Sequence, residues 1–258
     1  MKYIAASVLA VIAVLVIVFF ARYTGYVPVG PEYISELESL TKPPTGPYEL
    51  NESTGGGYIY TVLINTTQKN QRWKAYVGNI TGKFVLQSDA NFTIYDWVIS
   101  DITTGEVYAT RKSSSVNWTN INCTWVATGN TDPGNRSVEG YENIMMNHSS
   151  ADDNITTTFS SRNHTEFFIG TLRIQENACY SLHTFVNNTP QTASFQEVIL
   201  YEGDNISDAG GHLVYMAQMD DNTLGYDNRL YDFQLMLPEK GIPGFASSTA
   251  YYFYVDLG

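Results

Sequence analysis

Short runs in which apolar residues alternate with polar ones, or in which β-branched and aromatic residues dominate, recur along most of the chain. They have the two-residue period of a strand, because successive side chains of a strand point to opposite faces. Turn-forming residues separate the runs, and the helical period is not evident. The pattern predicts a mainly β fold, either an antiparallel β-sandwich or a barrel-like sheet. The predicted strands are residues 58–65, 72–79, 83–88, 92–100, 106–111, 166–174, 195–201 and 212–219.

Two segments near the C-terminus show the alternation most clearly. Every second residue is apolar in residues 230–237 and again in residues 250–258. The connection 238–248 contains two Pro and two Gly, which favour turns, so we expect adjacent strands. The last strand is expected to pair inside the sheet, because an open aromatic edge promotes aggregation. The two apolar faces consist of Tyr231, Phe233, Leu235 and Leu237, and of Tyr251, Phe253, Val255 and Leu257.

Residues 4–21 form an apolar run without a charged side chain. As a helix these residues rise about 27 Å, close to the roughly 30 Å of bilayer hydrocarbon. The run predicts an N-terminal transmembrane helix, with residues 1–22 as a membrane anchor. The alternative is a cleaved signal peptide, whose apolar part is usually shorter and ends at a small-residue cleavage site. Under both interpretations the remainder of the chain lies outside the cytosol.

The chain after the anchor divides by composition into two parts. Residues 23–57 are rich in Pro and Gly, which predicts a stalk. Residues 58–258 contain the predicted strands and form the ectodomain. All 26 Asp and Glu and 12 of the 14 Lys and Arg lie beyond residue 22, so this part carries 12 − 26 = −14. Such a charge disfavours nucleic acid and anionic lipid headgroups as partners.

Asn-x-Ser/Thr triplets with a non-proline middle residue, the acceptor pattern for N-glycosylation, are unusually frequent. Twenty Asn and this Ser and Thr content give roughly three or four triplets by chance, whereas the chain has twelve. Glycans need solvated surface, so we expect these residues in loops or on outward strand faces. The acceptors are Asn51, Asn65, Asn79, Asn91, Asn117, Asn122, Asn135, Asn147, Asn154, Asn163, Asn187 and Asn205.

The chain has two cysteines, Cys123 and Cys179. Outside the cytosol they are expected to form a disulfide, and two buried free thiols are the alternative. The bridge would close a loop that is polar from residue 127 to residue 165 and that carries several of the triplets. We therefore predict a polar lobe, residues 123–179, that depends on the disulfide because it has little apolar surface to bury.

Sequence motifs for catalysis are absent. The chain has no Gly-x-Ser-x-Gly, no His-Glu-x-x-His and no phosphate-binding glycine loop, and its four His do not have helical metal-ligand spacing. We predict no catalytic site and no cofactor. One weak Ca²⁺ candidate remains, in which Asp220, Asn222 and Asp227 surround Gly225, although a β-turn prefers the same residue types.

Four tryptophans allow two interpretations. Such residues usually pack in the core of a β-sandwich, but they also line sugar-binding faces. Both interpretations apply to each of them at this point: Trp73, Trp97, Trp118 and Trp125.

The layout of an N-terminal apolar helix, a Pro/Gly stalk and a β domain rich in acceptor triplets resembles archaeal surface glycoproteins, and loosely archaeal pilins. Residues 95–111 and 231–257 resemble secreted archaeal proteins of unassigned function. The chain departs from pilins in its leader, because only "MKY" precedes the apolar run. The resemblance implies a membrane-anchored surface glycoprotein with a structural, protective or adhesive role. A pilin-like filament subunit and a carbohydrate- or Ca²⁺-dependent binding module are the alternatives. The expected partners are the membrane, a cell-surface protein or glycan, or further copies of the chain.

Overall fold

The computed structural model describes residues 28–31, 34, 72–99, 104–123, 138–203, 213–240 and 249–257. Of these residues 44% are in strands and 10% in helices, and the sheets are antiparallel. The prediction of a mainly β fold with antiparallel sheets is confirmed. The predicted anchor, the strand at residues 58–65 and most of the stalk lie outside the described residues. No helix within the described ranges is long and apolar enough to span a membrane.

The described elements run from a strand at Trp73 to a strand near the C-terminus. Two α-helices, α1 (Val138–Met145) and α2 (Ile155–Thr158), and a 3-10 helix (Trp118–Asn120) lie between strands. The strands are β1 (Trp73–Gly78), β2 (Gly82–Gln87), β3 (Thr93–Ile99), β4 (Glu106–Thr110), β5 (Ile121–Asn122), β6 (Phe167–Ile169), β7 (Leu172–Ile174), β8 (Tyr180–Ser181), β9 (Thr184–Val186), β10 (Thr189–Gln191), β11 (Glu197–Glu202), β12 (Leu213–Gln218), β13 (Thr223–Leu224), β14 (Leu230–Tyr231), β15 (Phe233–Pro238) and β16 (Tyr252–Asp256).

The largest sheet has the order β16-β4-β12-β11-β5, and β8 also pairs with β11. Its central strands are rich in β-branched and aromatic residues, which favour extended backbone. Every residue of β4 and β11 is buried. Continuous burial along a strand requires cover on both faces of the sheet. The core therefore consists of two apolar layers, one on each face of this sheet.

The first layer joins the sheet to β15 and to the two helices. Side chains of the sheet meet Leu235 and Leu237 of β15 and the helical residues Val138 and Ile155. Glu197 of β11 strengthens the contact, because its carboxylate accepts a hydrogen bond from the Met236 N–H at 2.8 Å. The sheet residues of this layer are Ala109, Ile199, Tyr201, Leu213, Tyr215 and Ala217.

The second layer lies on the opposite face of the sheet. It packs Tyr108, Val198 and Met216 of the sheet against Trp118 and the β6–β7 hairpin. Residues 166–174, predicted as one strand, form this hairpin instead, with a turn at Gly170 (φ 58°). A single run of apolar residues thus supplies two short strands, because Gly adopts a positive φ at low cost.

The tertiary contacts correct the expected pairing of the two C-terminal segments. The two C-terminal segments are not neighbours: β15 pairs with β1, whereas β16 pairs with β4 at the end of the large sheet. The backbone of Val29 pairs with Val255 on the other side of β16. Residues 138–179, which lie within the predicted polar lobe 123–179, contribute to both core layers, for example with Phe159 and Phe167. Other apolar side chains of this segment stay at the surface, for example Ile144 (44% exposed) and Phe168 (50% exposed).

Candidate functional site

The β2–β3 hairpin differs from the rest of the described structure in its exposed apolar surface. Its strands pair with each other from Gly82 opposite Ile99 to Gln87 opposite Thr93. Neither strand is paired in a larger sheet within the described ranges. The hairpin forms because β-branched and aromatic residues dominate both strands. Its exposed apolar side chains are Val85, Leu86, Phe92, Ile94, Tyr95, Trp97 and Val98.

The tip of the hairpin is ordered by the Ser88 residue. Its main-chain oxygen accepts the Asn91 N–H at 2.9 Å, and its N–H donates to the Phe92 oxygen at 2.8 Å. The Ser88 hydroxyl oxygen accepts the Phe92 N–H at 3.2 Å. Asn91 has a φ of 61°, a conformation that Asn tolerates better than most residues. The chain reversal is therefore encoded locally, and one acceptor triplet lies at its apex.

The two faces of the hairpin have different chemistry. The aromatic face carries Leu86, Tyr95 and Trp97, with the ring centroids of Tyr95 and Trp97 6.2 Å apart at an angle of 36°. The aliphatic face carries Val85, Ile94 and Val98 together with Lys83 and Asp96. Trp97 is 54% exposed and Val98 80%. Both faces are thus accessible to another molecule.

The base of the hairpin lies close to the end of β16. A Cβ atom at Gly82 would lie 2.5 Å from a methyl group of Leu257. That approach places the first residue of β2 against the C-terminal segment. The hairpin therefore projects from a defined point of the fold.

The acceptor asparagines that the structure describes lie at the surface. Asn51, Asn65, Asn135 and Asn205 lie outside the described residues. Among the other eight, Asn122 and Asn154 are half-buried and none is buried. Exposure is what a bulky glycan requires. The six exposed asparagines are Asn79, Asn91, Asn117, Asn147, Asn163 and Asn187.

Hydrogen bonds separate these asparagines into two groups. At Asn117 and Asn187 the side-chain oxygen is used, accepting from Thr119 (2.7 Å) and from Asn228 (2.8 Å). That leaves the amide nitrogen, the atom that a sugar would join, available in both. At Asn154 the nitrogen donates to the Ala151 oxygen while the oxygen caps α2. The side-chain nitrogens of Asn154 and of Asn163, which donates to the Thr192 hydroxyl at 2.7 Å, are therefore engaged within the folded chain.

The disulfide between Cys123 and Cys179 is present in the structure, as predicted. Its position follows from the edge of β11, along which β5 and β8 pair one after the other. Asn122 lies opposite Tyr201, and Tyr180 lies opposite Ile199. The cysteine next to each of them therefore lies beside Leu200, the residue of β11 between Ile199 and Tyr201. Their Cα atoms are 4.4 Å apart. The bridge thus closes a gap between two short strands, which spacing in the sequence does not reveal.

His164 contacts the backbone of this disulfide. The Cys179 N–H donates to Nε2 at 2.9 Å, and Nδ1 is 2.8 Å from the Thr165 oxygen. Because a carbonyl oxygen only accepts, His164 carries its proton on Nδ1 and is neutral. Burial lowers the pKa of His164. This histidine is therefore a structural residue. It supports the gap between β5 and β8 along β11, which we call the strand break.

The Ca²⁺ candidates have separate protein partners. Asp220 accepts the Phe195 N–H, and Asp227 accepts the Tyr231 hydroxyl at 3.2 Å. Asn222 donates its side-chain amide to Asp221 at 3.0 Å. The described residues contain no group of three or more His, Cys, Asp or Glu arranged around a common point. Asp227 and Asn222 thus contact residues around β13 and β14, whereas Asp220 binds the backbone that precedes β11.

Several carboxylates are buried at the centre of the fold. Glu142 binds Arg111 through two hydrogen bonds of 2.6 and 2.7 Å, which ties α1 to the end of β4. Glu106 lies directly opposite Asp256 in the β4–β16 pair. Burial, and then the charge of Asp256, raise the pKa of Glu106 to about 8. The Glu142–Arg111 pair therefore holds a helix to a strand, whereas Glu106 faces a second carboxylate.

The tryptophans divide between the core and the hairpin. Trp118 is buried between Tyr108 and Tyr254, as the core interpretation requires. Trp73 is half-buried, and its indole N–H donates to the Asp153 oxygen at 3.0 Å. Trp97 is exposed, and Trp125 lies outside the described residues.

The chain matches no family model, and comparisons with curated proteins and with solved structures found no significant match.

Proposed function

We propose that the protein is a membrane-anchored, N-glycosylated extracellular surface protein with a structural, protective or adhesive role and without catalysis. In this proposal residues 4–21 form a transmembrane helix, residues 23–57 a stalk, and residues 58–258 a sandwich-like ectodomain outside the cell. The observation that carries it is the placement of the acceptor asparagines, none of which is buried within the described ranges. The disulfide supports an oxidising compartment.

Peptide mass spectrometry of the native protein tests this proposal. We expect an intact Met1 and glycans on the exposed acceptors, with Asn117 and Asn187 among the most occupied. Asn222 is the matched control, because Asn222-Thr223-Leu224 lacks the Ser or Thr of an acceptor triplet. Unmodified asparagines throughout would contradict the glycoprotein, and hydrolytic or transfer activity of the purified protein would contradict its non-catalytic role. Cleavage immediately before the apolar run would favour a filament subunit.

A second candidate function is carbohydrate binding, which the aromatic face of the hairpin favours. The C–H groups of a sugar ring pack against aromatic rings, and Tyr95 and Trp97 present two rings side by side. The exposed side chains on this face are uncharged, which suits a neutral glycan. Glycan-array binding by the full chain tests it, with Trp97→Ala as the variant and Val98→Ala, on the other face, as its control. Equal loss or equal retention of binding in both variants would contradict it.

A further inference from the structure

The aliphatic face of the β2–β3 hairpin contains a self-complementary arrangement of four side chains. Lys83 lies opposite Val98, and Val85 lies opposite Asp96. Lys83 and Val85 are two residues apart on one strand, as are Asp96 and Val98 on the other, so all four share one face. They form a quadrilateral with the two charges on one diagonal and the two valines on the other. Its diagonals are roughly 7–8 Å long.

We infer that this face is a contact between two copies of the chain, related by a two-fold axis along the valine diagonal. Such an axis exchanges the two charged corners, so Lys83 of each copy meets Asp96 of the other. Each valine then packs against the same valine of the second copy. An isologous contact of this kind needs one self-complementary patch, which the register of β2 and β3 provides. This inference does not depend on glycosylation.

Exposure and charge identify a second copy as the occupant. Val98 is 80% exposed and Ile94 53%, and both charged side chains are exposed. Neither Lys83 nor Asp96 has an ion-pair partner within the described part of the chain. The chain as a whole carries −12, so two copies repel each other over most of their surface. On this face the one positive and the one negative charge balance, so the face adds no net repulsion and each Lys83–Asp96 pair attracts locally.

The size of the face sets the strength of the contact. Two strands of six or seven residues cover about 20 Å by 10 Å, or roughly 200 Å² per copy. The total is well below the 1,200–2,000 Å² of a stable complex, so the association is weak and reversible. Weak contacts become effective when copies are held on one membrane, because tethering raises their effective concentration. The acceptors Asn79 and Asn91 lie at the base and the tip of the hairpin, where glycans leave the strand faces open.

Cysteine cross-linking of the full chain tests the axis directly. The two native cysteines are joined to each other, so an introduced cysteine is the one free thiol. Val98→Cys or Val85→Cys places that thiol on the axis, and we expect a disulfide-linked dimer on mild oxidation. Leu86→Cys, on the aromatic face, is the control and is expected to cross-link about tenfold more slowly, equivalent to 1.4 kcal/mol. Peptide mapping and the melting temperature verify that each variant retains the native disulfide and fold.

Charge reversal then tests the pairing between copies. Lys83→Asp or Asp96→Lys alone, each combined with Val98→Cys, is expected to slow cross-linking about tenfold. Mixing the two variants restores the rate, because each copy then meets an opposite charge; a pair within one hairpin would not respond to mixing. Equal rates for all variants would overturn the inference. It would also be overturned if the thiol introduced by Val98→Cys neither cross-links nor reacts with maleimide, since another part of this chain or a different molecule would then cover the face.

Discussion

The β2–β3 hairpin and the centre of the large sheet have similar sequences but opposite environments. "FVLQ" and "IYDWVI" in the hairpin are rich in apolar residues, as are "VILY" and "LVYMA" in β11 and β12, although the hairpin segments also contain Gln87 and Asp96. In the sheet both faces are covered, and Val198 and Val214 are fully buried. In the hairpin both faces are exposed. Apolar residues on both faces of a strand therefore indicate that both faces are to be covered, and leave open whether the same fold or another molecule covers them.

The largest expected effect comes from placing a charge in the two environments. Val214→Asp buries an uncompensated carboxylate in the core, and we expect a loss of more than about 4 kcal/mol in the free energy of unfolding. Val98→Asp, the matched change in the hairpin, should alter it by less than about 0.5 kcal/mol. Chemical denaturation followed by circular dichroism measures both. Similar losses would mean that the hairpin is part of the folded core.

Removing the disulfide should have the next largest effect. The double variant Cys123→Ser/Cys179→Ser removes the bridge between two residues that are 56 positions apart in the sequence. The chain-entropy estimate of the loss in the free energy of unfolding is about 4 kcal/mol. The loss should fall on the edge of β11, where β5 and β8 meet, and spare the hairpin. Hydrogen exchange of the Tyr201 and Ile199 amides, compared with amides of β3, locates it. A larger increase in exchange rate in β3 than along β11, each relative to the native protein, would contradict this assignment.

Alkaline pH should weaken the β4–β16 pair. The pKa of Glu106 is raised to about 8, so the folded state holds its proton more tightly than the unfolded state. Its stabilising contribution is present below about pH 4.5 and is lost as the pH rises towards 8, on the order of 1–3 kcal/mol. Glu106→Gln removes this dependence. Unfolding free energies of both proteins at pH 6.5 and pH 9 measure it, and parallel profiles would exclude Glu106 as the cause.

Acidification should weaken the strand break through His164. Burial lowers its pKa, so the unfolded state binds the proton more tightly and stability falls as the pH drops below about 6.5. Protonation of Nε2 would also break its hydrogen bond with the Cys179 N–H. Titration of the His164 resonances by NMR checks this against the ordinary histidine pKa of about 6.5. A pKa of His164 at or above that value would contradict the lowering by burial.

The smallest effect on stability is expected at Trp97. Trp97→Ala removes an exposed ring and should change the unfolding free energy by less than about 0.5 kcal/mol, whereas Trp118→Ala should cost about 3–5 kcal/mol. The comparison of the two variants distinguishes Trp97, as a binding residue, from Trp118, as a core residue. Guanidinium denaturation measures both. A large loss with Trp97→Ala would assign the aromatic face to the packing of the fold.

Local patterns predicted strands well and their partners poorly. The strands at 72–79, 83–88 and 106–111 are present because β-branched and aromatic residues favour extended backbone. The expected pairing of the last two segments was wrong, because β15 and β16 enter different sheets. The helices α1 and α2 were missed, since eight and four residues are too few to show a helical period. The β6–β7 turn at Gly170 was also missed, as one glycine within an apolar run has more than one interpretation.

The sequence by itself determined the mainly antiparallel β class, the set of acceptor asparagines and the one possible pairing of two cysteines. Each of these depends on residue type or on neighbours a few positions away. Only the tertiary structure decided which apolar strands are covered, because burial depends on what packs from distant parts of the chain. It also decided that Cys123 and Cys179 meet at a strand break and that Lys83 and Asp96 share a face with two exposed valines. Register and layer packing are long-range properties, and no local pattern contains them.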